Sequence, residues 1–330
     1  MSRTVLERAR TVIVASLLLQ SLWGCAAAQD VPWGPWTRAA PMPTARSELA
    51  AVALDGRIYV AGGIAQWGTT AAFEAYDPVT DRWEELRPLP KAAHHLAAAA
   101  TDDRIYIAGG YTNLLFSEIT SRAWAYDPGA RTWARIADLP APRAAHGMAA
   151  IEGKLYVVGG VGPRSKDLWI YDPATDRWDV APAALPTQRE HLAVTALDDK
   201  LYAIAGRWGD EGNLAAFEIY DPGAGTWTRG PDLPTARSGL TAGVLDGRIH
   251  VTGGESLSPG RTFGEHEAYD PTTAEWTALA GLPTPRHGLA SAVVSRRWYV
   301  IGGGTRAGAL TFISLADLVE VFPSRSEGAG

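Results

Sequence analysis

Six times this chain writes the same seven-residue phrase, and that recurrence limits its fold more than any other feature. The copies are Arg57-Ile-Tyr-Val-Ala-Gly-Gly63, Arg104-Ile-Tyr-Ile-Ala-Gly-Gly110, Lys154-Leu-Tyr-Val-Val-Gly-Gly160, Lys200-Leu-Tyr-Ala-Ile-Ala-Gly206, Arg248-Ile-His-Val-Thr-Gly-Gly254 and Arg297-Trp-Tyr-Val-Ile-Gly-Gly303. An apolar, β-branched run that ends in paired glycines reads as a buried strand stopping where backbones crowd. Recurrence every ~48 residues points to a propeller or a solenoid.

Each unit repeats four pieces. In the first, the strand at Trp36 leads to the turn Pro41–Arg46, and the apolar run Leu49–Leu54 follows. Asp55-Gly56 signals a hairpin into Arg57–Gly63. After a variable loop come Phe73–Pro78, a turn, and Arg82-Trp83-Glu84. Four antiparallel strands per unit make a propeller blade. Tyrosine precedes tryptophan by seven residues in Tyr76/Trp83, Tyr126/Trp133, Tyr171/Trp178, Tyr220/Trp227 and Tyr269/Trp276. Tryptophan to the next first glycine is 26 residues in five units and 27 in the fourth, which ends at Ala205. The stretch from that glycine to the next aromatic varies between 12 and 20. Length variation therefore sits in the loops between strands B and C, where function concentrates.

The glycine pairs (Gly62/Gly63, Gly109/Gly110, Gly159/Gly160, Gly253/Gly254, Gly302/Gly303), the Tyr-Asp-Pro segments, the spaced tryptophans and the Leu-Pro…Arg turns together resemble the Kelch-repeat family of β-propellers over residues 36–322. The resemblance implies radially arranged blades with strand A along the axis and strand D outside. It also implies recognition of a protein or peptide. Six such strand ends are present, five with Gly-Gly and one with Ala205-Gly206, yet Trp36 precedes the first and no tryptophan follows Phe322. The expectation is an all-β, six-bladed propeller of four-stranded antiparallel blades, closed by the N-terminal strand completing blade 6.

The 330 residues leave no room beside these units for a second domain, and 46% apolar content with 13 tryptophans fills a large core. Net charge is −6, or −8 without the leader's Arg3, Arg8, Arg10 and Glu7. Nucleic acid is an unsuitable partner for such a chain. The lone cysteine, Cys25, forms no intrachain disulfide and no thiolate cluster. It follows a basic start and the short apolar run Thr11–Leu22, an arrangement that reads as an export signal. Leu22-Trp23-Gly24-Cys25 resembles a bacterial lipobox, which implies lipidation at Cys25 and an outer-membrane lipoprotein. Cleavage after Ala26-Ala27-Ala28 would instead leave a soluble periplasmic or extracellular protein. Residues 26–35 read as a tether, residues 324–330 as a disordered tail, and the protein as a monomer.

Arg46, Arg143, Arg189, Arg237 and Arg286 recur in the turn between blades, with Ala93 in the second. Glu74, Glu218, Glu267 and Glu320 stand two before the aromatic, so scaffold Arg–Glu pairs are expected in blades 1, 4, 5 and 6. The tryptophans Trp36, Trp83, Trp133, Trp178, Trp227 and Trp276 are likewise scaffold.

Positions that break the repeat are better binding candidates. Glu48, His95 and His191 stand by the arginine position, as do His94, His146 and His287. The B–C loops add Trp67, Tyr111, Asn113, Arg164, Arg207, Trp208, Arg261 and Arg306. Aromatics beside charged groups suit carbohydrate or peptide ligands. Both sets of loops should open on one face. His94 and His95, as strand neighbours, would point to opposite faces. No His-x-His spacing fixes a metal site, and neither metal nor cofactor is expected. Glu48, Asp210, Glu211 and Glu255 could supply a carboxylate pair for glycoside chemistry. Propellers of the galactose oxidase type are similar in repeat, but their copper site uses a cysteine-crosslinked tyrosine, and here the cysteine lies in the leader. The expected function is non-catalytic protein or peptide recognition through the B–C and D–A loop face in the cell envelope. The alternative is a carbohydrate-binding or carbohydrate-active propeller, epimerase-like or lyase-like, with its site at the axial mouth.

Overall fold

Residues 33–325 are described by the structure, a computed structural model; Cys25, the leader, most of the expected tether and residues 326–330 lie outside the described residues. Six antiparallel sheets follow one another along the chain. Blade 1 is formed by Ala50–Leu54, Arg57–Ala61, Phe73–Asp77 and Arg82–Glu85, strands A to D in order. Between A and B, Asp55 and Gly56 both take positive φ (49° and 72°), the backbone that a two-residue hairpin needs. Strand A of each blade packs on strand A of the next, and the last returns to the first. Six apolar clusters fill the spaces between neighbouring blades. Small strand-A residues such as Ala51, Ala99, Ala149 and Ala242 line the axis.

Blade 6 is assembled from both ends of the described chain. Ala290–Val294, Arg297–Ile301 and Val319–Pro323 supply strands A to C, and Thr37–Arg38 pairs with the last as strand D. Trp36 occupies the place the other blades give to their spaced tryptophans. Its indole N–H donates to the carbonyl of Ala280, as Trp83 does to Ala40, Trp178 to Ala137 and Trp276 to Pro231. Each of these carbonyls belongs to the neighbouring blade, so one repeated hydrogen bond ties blade to blade around the circle.

Glycine pairs end strand B because the next blade's turn presses against them. A Cβ on Gly62 would come within 2.4 Å of the Ala93 carbonyl oxygen, and one on Gly109 within 2.3 Å of that of Arg143. Trp33, in the segment expected to be a tether, packs edge-on to His250 with ring centroids 4.9 Å apart. The expected tail is anchored where it begins: Ser324 is buried and its N–H donates to the Arg296 carbonyl at 3.0 Å.

The Arg–Glu pairs are formed inside the blades. Arg46 meets Glu74 at 2.6 Å and Arg237 meets Glu267 at 2.5 Å, while Arg189 pairs with Glu218 and Arg286 with Glu320. All eight residues are buried. A threonine two before each arginine donates its hydroxyl to the same carboxylate: Thr44, Thr187, Thr235 and Thr284. Blade 3 has neither the threonine nor the glutamate, and there the Arg143 guanidinium lies 3.4 Å from the centre of the Trp169 ring.

Candidate functional site at the axial mouth

Two residues beyond the arginine position, every blade places one residue in the left-handed region. These are Glu48 (φ 52°), His95 (55°), Ala145 (54°), His191 (51°), Gly239 (64°) and Gly288 (57°). Such a conformation costs about 1–2 kcal/mol for a side chain other than glycine. Here it closes a hydrogen-bonded ring. Glu48 N–H donates to Gly288 O at 2.6 Å; His95 donates to Glu48, Ala145 to His95, His191 to Ala145, Gly239 to His191 and Gly288 to Gly239, each at 2.9 Å. Six residues thus encircle the axis, and their side chains line the cavity at its mouth.

One residue before each ring member, the turn bridges to the residue after the glycine pair. The pairs are Ser47 with Ile64, His94 with Tyr111, Ala144 with Val161, Glu190 with Arg207, Ser238 with Glu255, and His287 with Gly304. These bridges place the D–A turns and the B–C loops on one face, as expected. Above the ring they form a pocket of about 430 Å³. Its polar side carries Glu48, His95, Glu190, His191, Arg207, Glu255 and His287; its apolar wall carries Tyr111, Phe116, Leu257 and Phe312.

The polar side is densely bonded. Arg207 spans two carboxylates, reaching Glu190 and Glu255 at 2.6 Å each. Burial pushes Glu255 upward, but His287, the Gly308 N–H and Arg207 outweigh it and hold the carboxyl below its usual range. Burial also opposes the charge of Arg207, and the two carboxylates more than restore it. His287 Nε2 donates to the Arg306 carbonyl at 3.0 Å, while its Nδ1 faces Glu255 at 3.2 Å and Glu48 at 3.6 Å. Glu48 gains its space from a glycine: a Cβ on Gly288 would lie 2.3 Å from the carboxylate.

Of the residues singled out from sequence, Glu48, His95, Tyr111, His191 and Arg207 meet in this pocket. Trp67 stands 91% exposed on the face outside it. Asn113 shapes its loop, with its carbonyl facing His94 Nε2 and its amide donating to Ser117. Arg164 pairs with Asp167 and Arg261 with Glu265, so both serve their own loops. Trp208 pairs with Gly212 in a short hairpin, and Arg306 enters through its backbone. The expectation that His94 and His95 diverge is corrected. The chain turns left-handed at His95 rather than continuing as a strand, and the two Nδ1 atoms stand 2.5 Å apart. Glu190 went unrecognised because glutamate before a turn histidine carries no motif of its own. Among the carboxylates proposed for glycoside chemistry, Glu48 and Glu255 reach the pocket, whereas Asp210 and Glu211 lie exposed on a short 3-10 turn away from it.

Three segments of the chain, residues 20–160, 88–231 and 161–321, match the family model described as the KLHDC2/KLHL20/DRC7 Kelch-repeats domain. Kelch-like protein terF of Aspergillus terreus is 32% identical over 96 residues, covering 27% of this chain and 21% of that protein. Human Kelch-like protein 33 is 34% identical over 84 residues, or 26% of this chain and 15% of that one. The chain thus spans about a fifth or less of the length of these curated relatives. Among solved structures, that of YjhT superposes with a TM-score of 0.72 at 18% identity, over 86% of this chain and 96% of its own. At that identity the likeness concerns the fold.

Proposed function

Because this chain belongs to the Kelch-repeat family of β-propellers, we propose that it is a recognition module whose axial mouth receives a compact, polar ligand of the saccharide class. One observation carries this reading: carboxylate, imidazole and guanidinium groups from separate blades converge at the base of a walled pocket. A hydroxyl-rich ligand uses such a base for hydrogen bonds and a wall like Tyr111, Phe116 and Phe312 for its C–H faces. The volume of about 430 Å³ falls within the range of small-molecule sites. The export signal read at residues 1–25 supports placing this recognition in the cell envelope.

A second reading, docking of a protein segment on the loop face, is favoured by a different observation. Trp67, Leu115, Leu257, Leu310 and Ile313 are exposed, and they come from the B–C loops of blades 5, 6, 1 and 2, consecutive around the ring. An apolar arc of this kind suits a partner chain.

Titration calorimetry of the full chain against neutral and acidic mono- and disaccharides separates the two. The expected result is saturable binding that weakens at least ~10-fold in Glu48→Gln and Arg207→Gln, since a lost bond to a charged group costs about 1.5–3 kcal/mol. Trp67→Ala should bind unchanged. Absence of saturable binding across the panel, together with capture of an envelope protein that Leu115→Ser and Ile313→Ser abolish, would overturn the first reading in favour of the second.

A further inference from the structure

The hydrogen-bond chain behind the ring histidines decides where their protons sit. The Asn113 carbonyl oxygen can only accept, so His94 Nε2, 3.0 Å away, carries a proton and donates it. His94 Nδ1 is then an acceptor, and His95 Nδ1–H donates to it across 2.5 Å. That leaves a lone pair on His95 Nε2. On the other side of the mouth, His191 Nδ1–H donates to the Glu190 carboxylate, and the neutral ring then keeps a lone pair on Nε2. Arg207 Nη2 stands 3.2 Å from that nitrogen and 3.3 Å from Nδ1, so it lies against the ring and the tautomer is set by Glu190.

These two lone-pair nitrogens face each other at 2.9 Å, and a Glu48 oxygen stands 3.3 Å from the first. Glu48, His95 and His191 each present one ligand atom, all within 4.8 Å of one another. With both imidazoles neutral, three electron-pair donors face one another with no proton among them, an arrangement that a cation between them relieves. Ligands on a tetrahedral ion at 2.0–2.1 Å stand about 3.3 Å apart, so the His–His separation opens by a few tenths of an ångström while the Glu48 carboxylate, within 4.8 Å of His191, swings toward it. Behind the ligands, Glu190 orients His191 as carboxylates do at metal sites, and His94, itself held by the Asn113 carbonyl, orients His95. Elsewhere in the molecule, His250 and His266 also approach to 2.9 Å, but there a proton fills the gap. His266 Nδ1–H donates to Ala280 O at 3.1 Å, so its Nε2 accepts from His250 Nδ1–H.

We infer that Glu48, His95 and His191 bind one divalent first-row transition-metal ion at the axial mouth, leaving an open coordination position toward the pocket. A two-histidine, one-carboxylate set suits zinc and its neighbours in the series. The ion would displace the Arg207 contact to His191, and Arg207 keeps its two carboxylates. Nothing here depends on the saccharide reading, because metal uptake is measured with no sugar present.

Tag-free full-length protein is stripped with chelator and titrated with Zn²⁺ against a chromophoric competitor, with Co²⁺ as a spectroscopic probe. The expected result is one equivalent bound per chain and visible Co²⁺ bands of tetrahedral type. Affinity should fall at least ~10-fold in Glu48→Gln, His191→Gln and His95→Asn. Asparagine at position 95 accepts the left-handed backbone, and chelator-treated melting curves show whether each variant folds. Should a variant fail to fold, the wild-type melting temperature still decides, since a specific site raises it with zinc concentration. Less than a fifth of an equivalent bound, no zinc-dependent stabilisation, or equal uptake by folded variants would overturn the proposal.

Discussion

At the scale of residues, the same two chemistries, carboxylate and cation, do different jobs according to burial. Glu267 is buried against Arg237, itself fully buried. Glu84 reaches Arg57 and Arg131 at the surface. Glu267→Ala should therefore destabilise by about 3–5 kcal/mol because it strands a buried charge, whereas Glu84→Ala should cost about 1 kcal/mol or less. Urea unfolding of both variants checks this, and equal losses would contradict it. Gly288 and Gly239 offer a second comparison at identical backbone. Ala145 shows that alanine is accepted at a ring position. A methyl on Gly239 meets nothing closer than 3.5 Å, while one on Gly288 collides with the Glu48 carboxylate. Gly288→Ala should weaken zinc binding about tenfold and Gly239→Ala less than twofold, at similar stability cost.

Elements were legible where repetition made them so. Glycine pairs and the seven-residue spacing each name one strand end or one hairpin and recur enough to average out local exceptions such as Ala205, while Asp-Gly marks the hairpins of blades 1 and 5. The Arg–Glu pairs could be read from co-occurrence alone, since blades 2 and 3 lack both partners or one. Their threonines carried the same signal and passed unread. The mouth was only half visible. Glu48, His95 and His191 stand out as breaks in a repeat, but their convergence depends on a left-handed turn that sequence does not announce in a glutamate or a histidine. Arg207 and Glu190 sit in different loops, and only the bridge between those loops brings them together. Closure belongs to this scale as well. Trp36→Ala removes a large ring packed on Phe322 at 5.0 Å together with the bond to Ala280. A loss of about 3–5 kcal/mol is expected, and deletion of residues 33–38 should lower the melting temperature further. An unchanged melting curve in either case would contradict closure by the N-terminal strand.

Across the whole molecule, buried imidazoles tie stability to pH. Burial holds His266 down to about 4, and burial with His266 and Arg248 nearby holds His250 well below its ordinary range. Burial also takes His146 down to about 3. These groups stay neutral in the folded state and bind protons more readily when unfolded. Stability therefore rises with pH between about 4 and 6.5 and levels off above. For His266 alone the loss on acidification to pH 4 is on the order of 3 kcal/mol. Chemical denaturation at pH 4.5 and 7 should show this slope, and His266→Gln should flatten it; a slope untouched by that substitution would contradict the assignment.

The proposed metal site depends most on the closed ring aiming bare imidazole nitrogens at the axis. The imidazole ¹⁵N spectrum of the full chain, with its seven histidines assigned by substitution, reads the protonation of each ring nitrogen directly. The predicted spectrum, in chelator, shows His95 and His191 protonated at Nδ1 and unprotonated at Nε2, and both Nε2 signals move on addition of one equivalent of zinc while His250 and His266 stay in place. A spectrum with protons on Nε2 of His95 and His191, unmoved by zinc, would contradict it.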